Sequence, residues 1–207
     1  MEPIFIRLLV CFVLGSIPFA VISMAGSGID IRKVGSGNPG FNNVLRVSKG
    51  RAVIALMGDL GKGYLAVWLV LKAWQVPDPW PSPIGWGWVC GFAAVIGHCF
   101  SPWLRFNGGK GIATSAGVML VLYPMWSAVA LVYFVLSRVW LGKLRAREAG
   151  ATASLTTWIL FTILALIFVG RSDAAYAALM TAFLAWRHHK NLRTFLGGAA
   201  KVRAATS

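Results

Sequence analysis

Apolar residues run along this chain in long blocks, at residues 4–25, 52–74, 84–104, 112–139 and 151–186. Short polar stretches rich in glycine and basic residues separate them. A helix needs about 20 apolar residues to cross a bilayer, and fewer where the bilayer is thin or the helix is buried in protein. Block 112–139 is long for one crossing and contains Tyr123-Pro124. Proline there predicts a turn or kink. Block 151–186 is far too long for one crossing, and Gly170-Arg171-Ser172-Asp173 breaks it with a polar turn. Splitting both blocks gives seven segments, and leaving 112–139 whole gives six.

Charge decides between the two. With seven spans and the N-terminus outside, 16 of the 20 Lys and Arg residues fall on the cytoplasmic side. The outer loops then hold Asp78 and Asp173, with Arg171 as their basic residue. Six spans would place either the Arg138–Arg147 cluster or the C-terminal cluster outside, against the positive-inside rule. The predicted architecture is therefore all-α. It is a polytopic membrane helix bundle of about seven transmembrane helices, with the N-terminus outside and the C-terminus cytoplasmic. The Trp- and Pro-rich stretch 74–88 suits an outer interfacial belt and loop. No linker or internal repeat divides residues 1–207, which read as one domain with a frayed basic tail at 199–207.

Composition agrees with the pattern. Of 207 residues, 57% are hydrophobic and 13% charged, with a mean hydropathy of +0.70. A soluble domain carries about a quarter charged residues. The formal net charge is +14, against only six acids. In this setting the basic excess points to anionic lipid head groups and a phosphorylated substrate rather than to nucleic acid. Cys11, Cys90 and Cys99 lie in or beside apolar segments without metal-ligand spacing, and read as small core residues. Residues 4–24 are long for a signal peptide and no basic cluster precedes them, so they read as a span.

Three polar stretches carry the candidate chemistry, all on the predicted cytoplasmic face. Residues 34–46 contain Gly35, Gly37 and Gly40, the polar Ser36, Asn38, Asn42 and Asn43, and a terminal Arg46. Glycines let backbone N–H groups approach an anion, and arginine grips phosphate bidentately. An ordinary turn is the competing reading, because Asn-Pro-Gly is itself a turn signal. In the second stretch, Gly108-Gly109-Lys110-Gly111 opens an apolar helix, as a phosphate cradle requires. The Walker spacing is absent. His98, upstream of it, suits a hydrogen-bonded structural role as well as a catalytic one. The third stretch is Trp186-Arg187-His188-His189-Lys190-Asn191-Leu192-Arg193. It serves as a basic stop with snorkelling side chains, and the histidines and Asn191 allow a second role. Adjacent histidines point apart on a helix, with no carboxylate near in sequence, so metal binding is not expected.

Asp59 and Lys62 fall inside an apolar block, three apart on one helical face, where a structural salt bridge is the expected reading. There is no G-x-S-x-G elbow, and no histidine is followed by an acid at the fifth position. The scarcity of acids disfavours a magnesium-dependent phosphotransferase. A small transporter or channel for a phosphorylated solute is the rival class, but the loop-borne polar motifs and the lack of a repeat argue against it.

Taken together, the three stretches resemble the bacterial membrane-bound glycerol-3-phosphate acyltransferases that use acyl phosphate as donor. Ser36, Gly37, Asn38, Gly40, Asn43 and Arg46 match that family's first motif. Gly97, His98, Phe100, Phe106, Gly108, Gly109, Lys110, Gly111, Ala113 and Thr114 match its second. Arg187, His188, Asn191 and Arg193 align with its third, and Asp59, Lys62 and Gly63 also look like the family. Asn42 stands where threonine is usual, Lys190 where an acidic or polar residue is common, and 196–199 lacks the family's Gly-Thr-Glu.

The resemblance implies acyl transfer from acyl phosphate to the 1-hydroxyl of glycerol 3-phosphate at the cytoplasmic face of the bacterial inner membrane. The product would be 1-acylglycerol 3-phosphate. It implies catalytic roles for Ser36, Arg46, His188 and Asn191. Substrate contacts would come from Gly37, Asn38, Asn43, His98, Gly108, Gly109, Lys110, Gly111 and Thr114. No metal or cofactor is implied. Membrane lipids and the two substrates are the expected partners, with the enzyme that makes acyl phosphate as a candidate contact.

Overall fold

The computed structural model describes residues 4–73, 85–144, 146 and 148–195. The outer stretch expected at 74–88 lies mostly outside these residues, as do Arg145, Arg147 and the tail from 196 onward. Every regular element among the described residues is helical. Contacts group the chain into two compact units, Met1–Met125 and Trp126–Ser207.

In the first unit, α1 (Ile4–Ser16) stops one residue short of Pro18. Proline has no N–H to continue the ladder and disfavours helical geometry at the residue before it. The short α2 (Phe19–Ile22) follows. A non-helical stretch then leads to α3 (Phe41–Val47). Ser48 caps α4 (Lys49–Trp68), which runs on as a π-helical turn at Leu69–Ala73. Next come α5 (Gly85–Cys99), a 3₁₀ turn at Pro102–Leu104 and α6 (Ile112–Leu122). Helix α7 (Pro124–Lys143) leads into the second unit, which also holds α8 (Ala149–Phe168) and α9 (Arg171–Arg187). The breaks at Tyr123-Pro124 and Gly170 fall where the sequence pattern puts them.

Among the described residues, five helices are long and apolar enough to cross a membrane: Phe5–Ile22, Lys49–Lys72, Gly85–Leu104, Pro124–Lys143 and Ala149–Phe168. The other two predicted segments are helical but do not meet that measure. Helix α6 has 11 residues, a rise of about 16 Å at the α-helical pitch. Helix α9 has 17 residues and carries Arg171, Asp173 and Arg187.

Small residues set the packing of the first unit, where α1 lies along α5 and α4 along α6. A Cβ at Gly15 would fall on the Ala94 backbone, and one at Gly63 on the backbone of Thr114. Such close approach is how apolar helices gain dispersion contact when lipid supplies no hydrophobic drive. Cys11, Cys90 and Cys99 are buried free thiols, as expected of core residues. In the second unit α8 packs along α9, with the Thr162 and Thr181 hydroxyls 3.0 Å apart. Helix α7 exposes Leu131, Val132 and Leu136, which suits a lipid-facing surface.

Candidate active site

Residues 31–40 form a loop closed by one side chain from α3. Gly35 and Gly37 adopt φ of 59° and 67°, the left-handed region that glycine enters without penalty. Asn43, in the first turn of α3, reaches back across the loop. Its Oδ1 accepts the Ser36 N–H at 3.0 Å. Its Nδ2 donates to Ile31 O at 2.9 Å and Val34 O at 3.0 Å. Both amide hydrogens are engaged and the residue is 1% exposed. Asn43 therefore acts as a clasp for the loop. A Cβ at Gly35 would overlap the same Asn43 carbonyl oxygen.

The clasp leaves Ser36 and Gly37 exposed and Asn38 half-buried. Arg46, in the last turn of α3, is exposed and makes no hydrogen bond or ion pair among the described residues. Arg32 on the same loop is already committed, since it holds Asp30 through Nε at 2.8 Å and Nη2 at 2.9 Å. The Arg32 guanidinium bond holds the Asp30 carboxyl at about 2, below the usual carboxylate range. Arg46 is thus the uncommitted guanidinium beside the glycine loop.

The second stretch is held from behind. The Gly108 N–H donates to Cys99 O at 3.1 Å and the Gly109 N–H to His98 O at 3.2 Å. A Cβ at Gly108 would fall on His98 O, and one at Gly109 on the His98 ring at Nε2. These two residues are glycine because the chain presses against the end of α5. Their amides serve the fold, which corrects the expectation that all four residues of 108–111 present N–H groups to an anion. Lys110 is half-buried, and Gly111 (φ 89°) caps the N-terminus of α6 in the left-handed region. Ser101 Oγ donates to Ser16 O at 2.6 Å and Trp103 Nε1 to Ser16 Oγ at 2.9 Å, which tie this stretch to the end of α1. Thr114 is fully buried where α6 meets α4, and its Oγ1 finds no hydrogen-bond partner among the described residues. It packs between helices and is not open to a ligand in this state.

His98 is buried, with Nδ1 3.5 Å from Asp59 Oδ1. Asp59 in turn pairs with Lys62 at 2.7 Å, the salt bridge expected from their spacing.

In the second unit, His188 ends α9 and is buried, with Nδ1 2.8 Å from Leu184 O. His189 is exposed, with Nδ1 2.8 Å from Trp186 O. Asn191 donates through Nδ2 to the carboxylate of Glu148, which stands just before α8 in left-handed backbone (φ 57°). Sequence spacing gave no sign of this carboxylate, because it lies 43 residues away. Among the described residues no cluster of three or more His, Cys, Asp or Glu could hold a metal ion.

Long apolar helices define a membrane protein, and its polar loops carry an uncommitted guanidinium and a lysine at a helix N-terminus, groups chemically suited to anions. Comparison with known proteins identifies its family. Residues 5–198, spanning both units, match the glycerol-3-phosphate acyltransferase family. A glycerol-3-phosphate acyltransferase of Aromatoleum aromaticum is 37% identical, over 97% of each chain. Glycerol-3-phosphate acyltransferase 1 of Deinococcus radiodurans is also 37% identical, over 95% of this chain and 93% of its own. The crystal structure of PlsY (YgiH), an integral membrane glycerol 3-phosphate acyltransferase in its glycerol 3-phosphate form, superposes with a TM-score of 0.79. The two are 27% identical over 94% of this chain and 92% of that one. The chain belongs to the glycerol-3-phosphate acyltransferase family, membrane acyltransferases of phospholipid synthesis.

Proposed function

We propose that this protein transfers a fatty acyl group from acyl phosphate to the 1-hydroxyl of glycerol 3-phosphate, releasing 1-acylglycerol 3-phosphate and phosphate. The hydroxyl oxygen attacks the acyl carbonyl carbon, and the bond from that carbon to the phosphate oxygen breaks. The hydroxyl proton passes to a phosphate oxygen of the donor. The donor is already activated, so the protein's task is to place two phosphate-bearing molecules and offset their charge. The observation that carries this reading is the exposed, unpaired Arg46 beside the pinned loop at Ser36, Gly37 and Asn38.

In this reading Arg46 and Lys110 supply cations, Ser36 and Asn38 bond substrate oxygens, and the N-terminus of α6 adds its dipole. Asn43 keeps the first loop in shape. Within the second unit, His188 and Asn191 are the residues that the family resemblance marks as catalytic, and Glu148 orients the Asn191 amide. The site faces the cytoplasm of the bacterial inner membrane, with seven spans and the N-terminus outside.

The donor is tested by giving purified protein labelled glycerol 3-phosphate with acyl phosphate, acyl-CoA or acyl carrier protein in parallel. Product from acyl phosphate alone is expected, and product from a thioester instead would overturn the assignment. Reporter fusions after positions 78, 147 and 207 test the topology, where an external signal at 147 or 207 would overturn it.

A further inference from the structure

The buried charges of α4 have no part in the chemistry proposed above, yet they do not stand alone. Asp59 is 2% exposed and Lys62 4%, and each charge in such a place needs a partner. Lys62 Nζ meets Asp59 Oδ1 and donates to Ile17 O, both at 2.7 Å. The Asp59 carboxylate then faces His98 Nδ1 at 3.5 Å. The Nε2 edge of that ring lies against Gly109, so closely that no Cβ would fit. The His98 carbonyl oxygen accepts the Gly109 N–H at 3.2 Å. A continuous chain of polar contacts thus leads from the α1–α2 break through α4 and the end of α5 to the loop that opens α6.

The geometry points to Asp59 as a positioning residue that sets the 108–111 loop through His98. A carboxylate on one ring edge selects the ring's orientation, and the opposite edge then supports the loop. Lys62 supplies the counter-charge that allows the carboxylate to sit there. The inference rests on the reading that this loop, through Lys110 and the α6 N-terminus, holds a substrate phosphate.

Single removal of Asp59 leaves Lys62 buried without its counter-charge and confounds a loss of function with misfolding, so the test replaces both. Asp59→Leu with Lys62→Met keeps similar volumes and removes both charges. The Ile17 carbonyl retains its bond from the Phe19 N–H at 3.1 Å. Steady-state kinetics are run in phospholipid vesicles with glycerol 3-phosphate and acyl phosphate varied in turn. The expected result is a normally folded protein whose KM for one phosphate substrate rises about tenfold while kcat changes little, since a displaced loop weakens ground-state binding. Wild-type KM values for both substrates would overturn the positioning role and leave a structural salt bridge. If the double variant does not fold, His98→Gln, with the ion pair intact, reads the same contact: a raised KM supports the proposal and an unchanged one overturns it. Lys110→Ala separates this inference from the reading beneath it. A raised KM in Lys110→Ala with a normal KM in the pair replacement rejects the Asp59 role alone. Normal KM values in Lys110→Ala reject the phosphate loop, and the positioning role with it.

Discussion

In the first glycine-rich stretch the fastening is a neutral amide, Asn43, which reaches back over the loop and bonds three backbone groups. In the second, two α5 carbonyls and the His98 ring hold the loop, with the Asp59–Lys62 ion pair behind them. Both devices leave a cation near the loop, Arg46 in one case and Lys110 in the other. The difference lies in where the energy is stored. Asn43 closes a local circuit of residues 31–43, so its loss should disturb one loop. The α4 charges tie three elements together, so removing one partner alone should disturb the fold before it disturbs the chemistry.

Lys62→Met alone leaves Asp59 buried without its counter-charge and should cost about 3–5 kcal/mol of stability. Thermal unfolding of the purified protein checks this, and a wild-type transition would mean that the pair is not tight in the membrane. Arg46→Ala should leave folding intact, because the side chain is exposed and unpaired. It should nevertheless lose roughly 2–5 kcal/mol of substrate or transition-state stabilisation. Turnover near wild type would remove Arg46 from the site. Arg46→Lys should also perform poorly, since a point charge cannot replace the planar fork.

Asn43→Ala should cost about 1–3 kcal/mol, because it strands the Ser36 N–H and two carbonyls. Its kcat/KM should fall while α4 and α5 keep their protection from hydrogen exchange. Loss of protection across the whole first unit would contradict a local clasp. The smallest effect concerns Asp30. Its carboxyl titrates at about 2 in the folded protein, against about 3.9 in an unfolded chain. The pair with Arg32 therefore contributes above pH about 4 and is lost as pH falls toward 2. The pair is exposed, so Asp30→Asn should match wild type at neutral pH and differ only in that acid window, as a pH series of melting curves would show.

The sequence pattern located every apolar segment because long hydrophobic runs need no partner to declare themselves. It placed the breaks at Tyr123-Pro124 and Gly170 for the same reason: proline and a polar turn act locally. The break at Ile17-Pro18 had the same signal but lay hidden inside an unbroken apolar run. Asp59 and Lys62 were legible as a pair, being one helical turn apart. What they bond was not, because Ile17 and His98 are distant in sequence. Asn43 matched a motif, but composition cannot tell an amide that faces a ligand from one that fastens a loop. Gly108 and Gly109 misled in the opposite direction. Their glycine character suggested open backbone for an anion, whereas His98 and Cys99 occupy that space. Glu148, the partner of Asn191, could not be found from spacing at all.

Arg46 and its clasped loop are proposed to serve acyl transfer from acyl phosphate. The most direct test gives purified wild type and Arg46→Ala acyl phosphate and labelled glycerol 3-phosphate, and counts lysophosphatidic acid and inorganic phosphate together. The account predicts one phosphate for each lysophosphatidic acid from wild type, and neither above background from a folded Arg46→Ala. Phosphate release without acylated product, or equal product from both proteins, would contradict it.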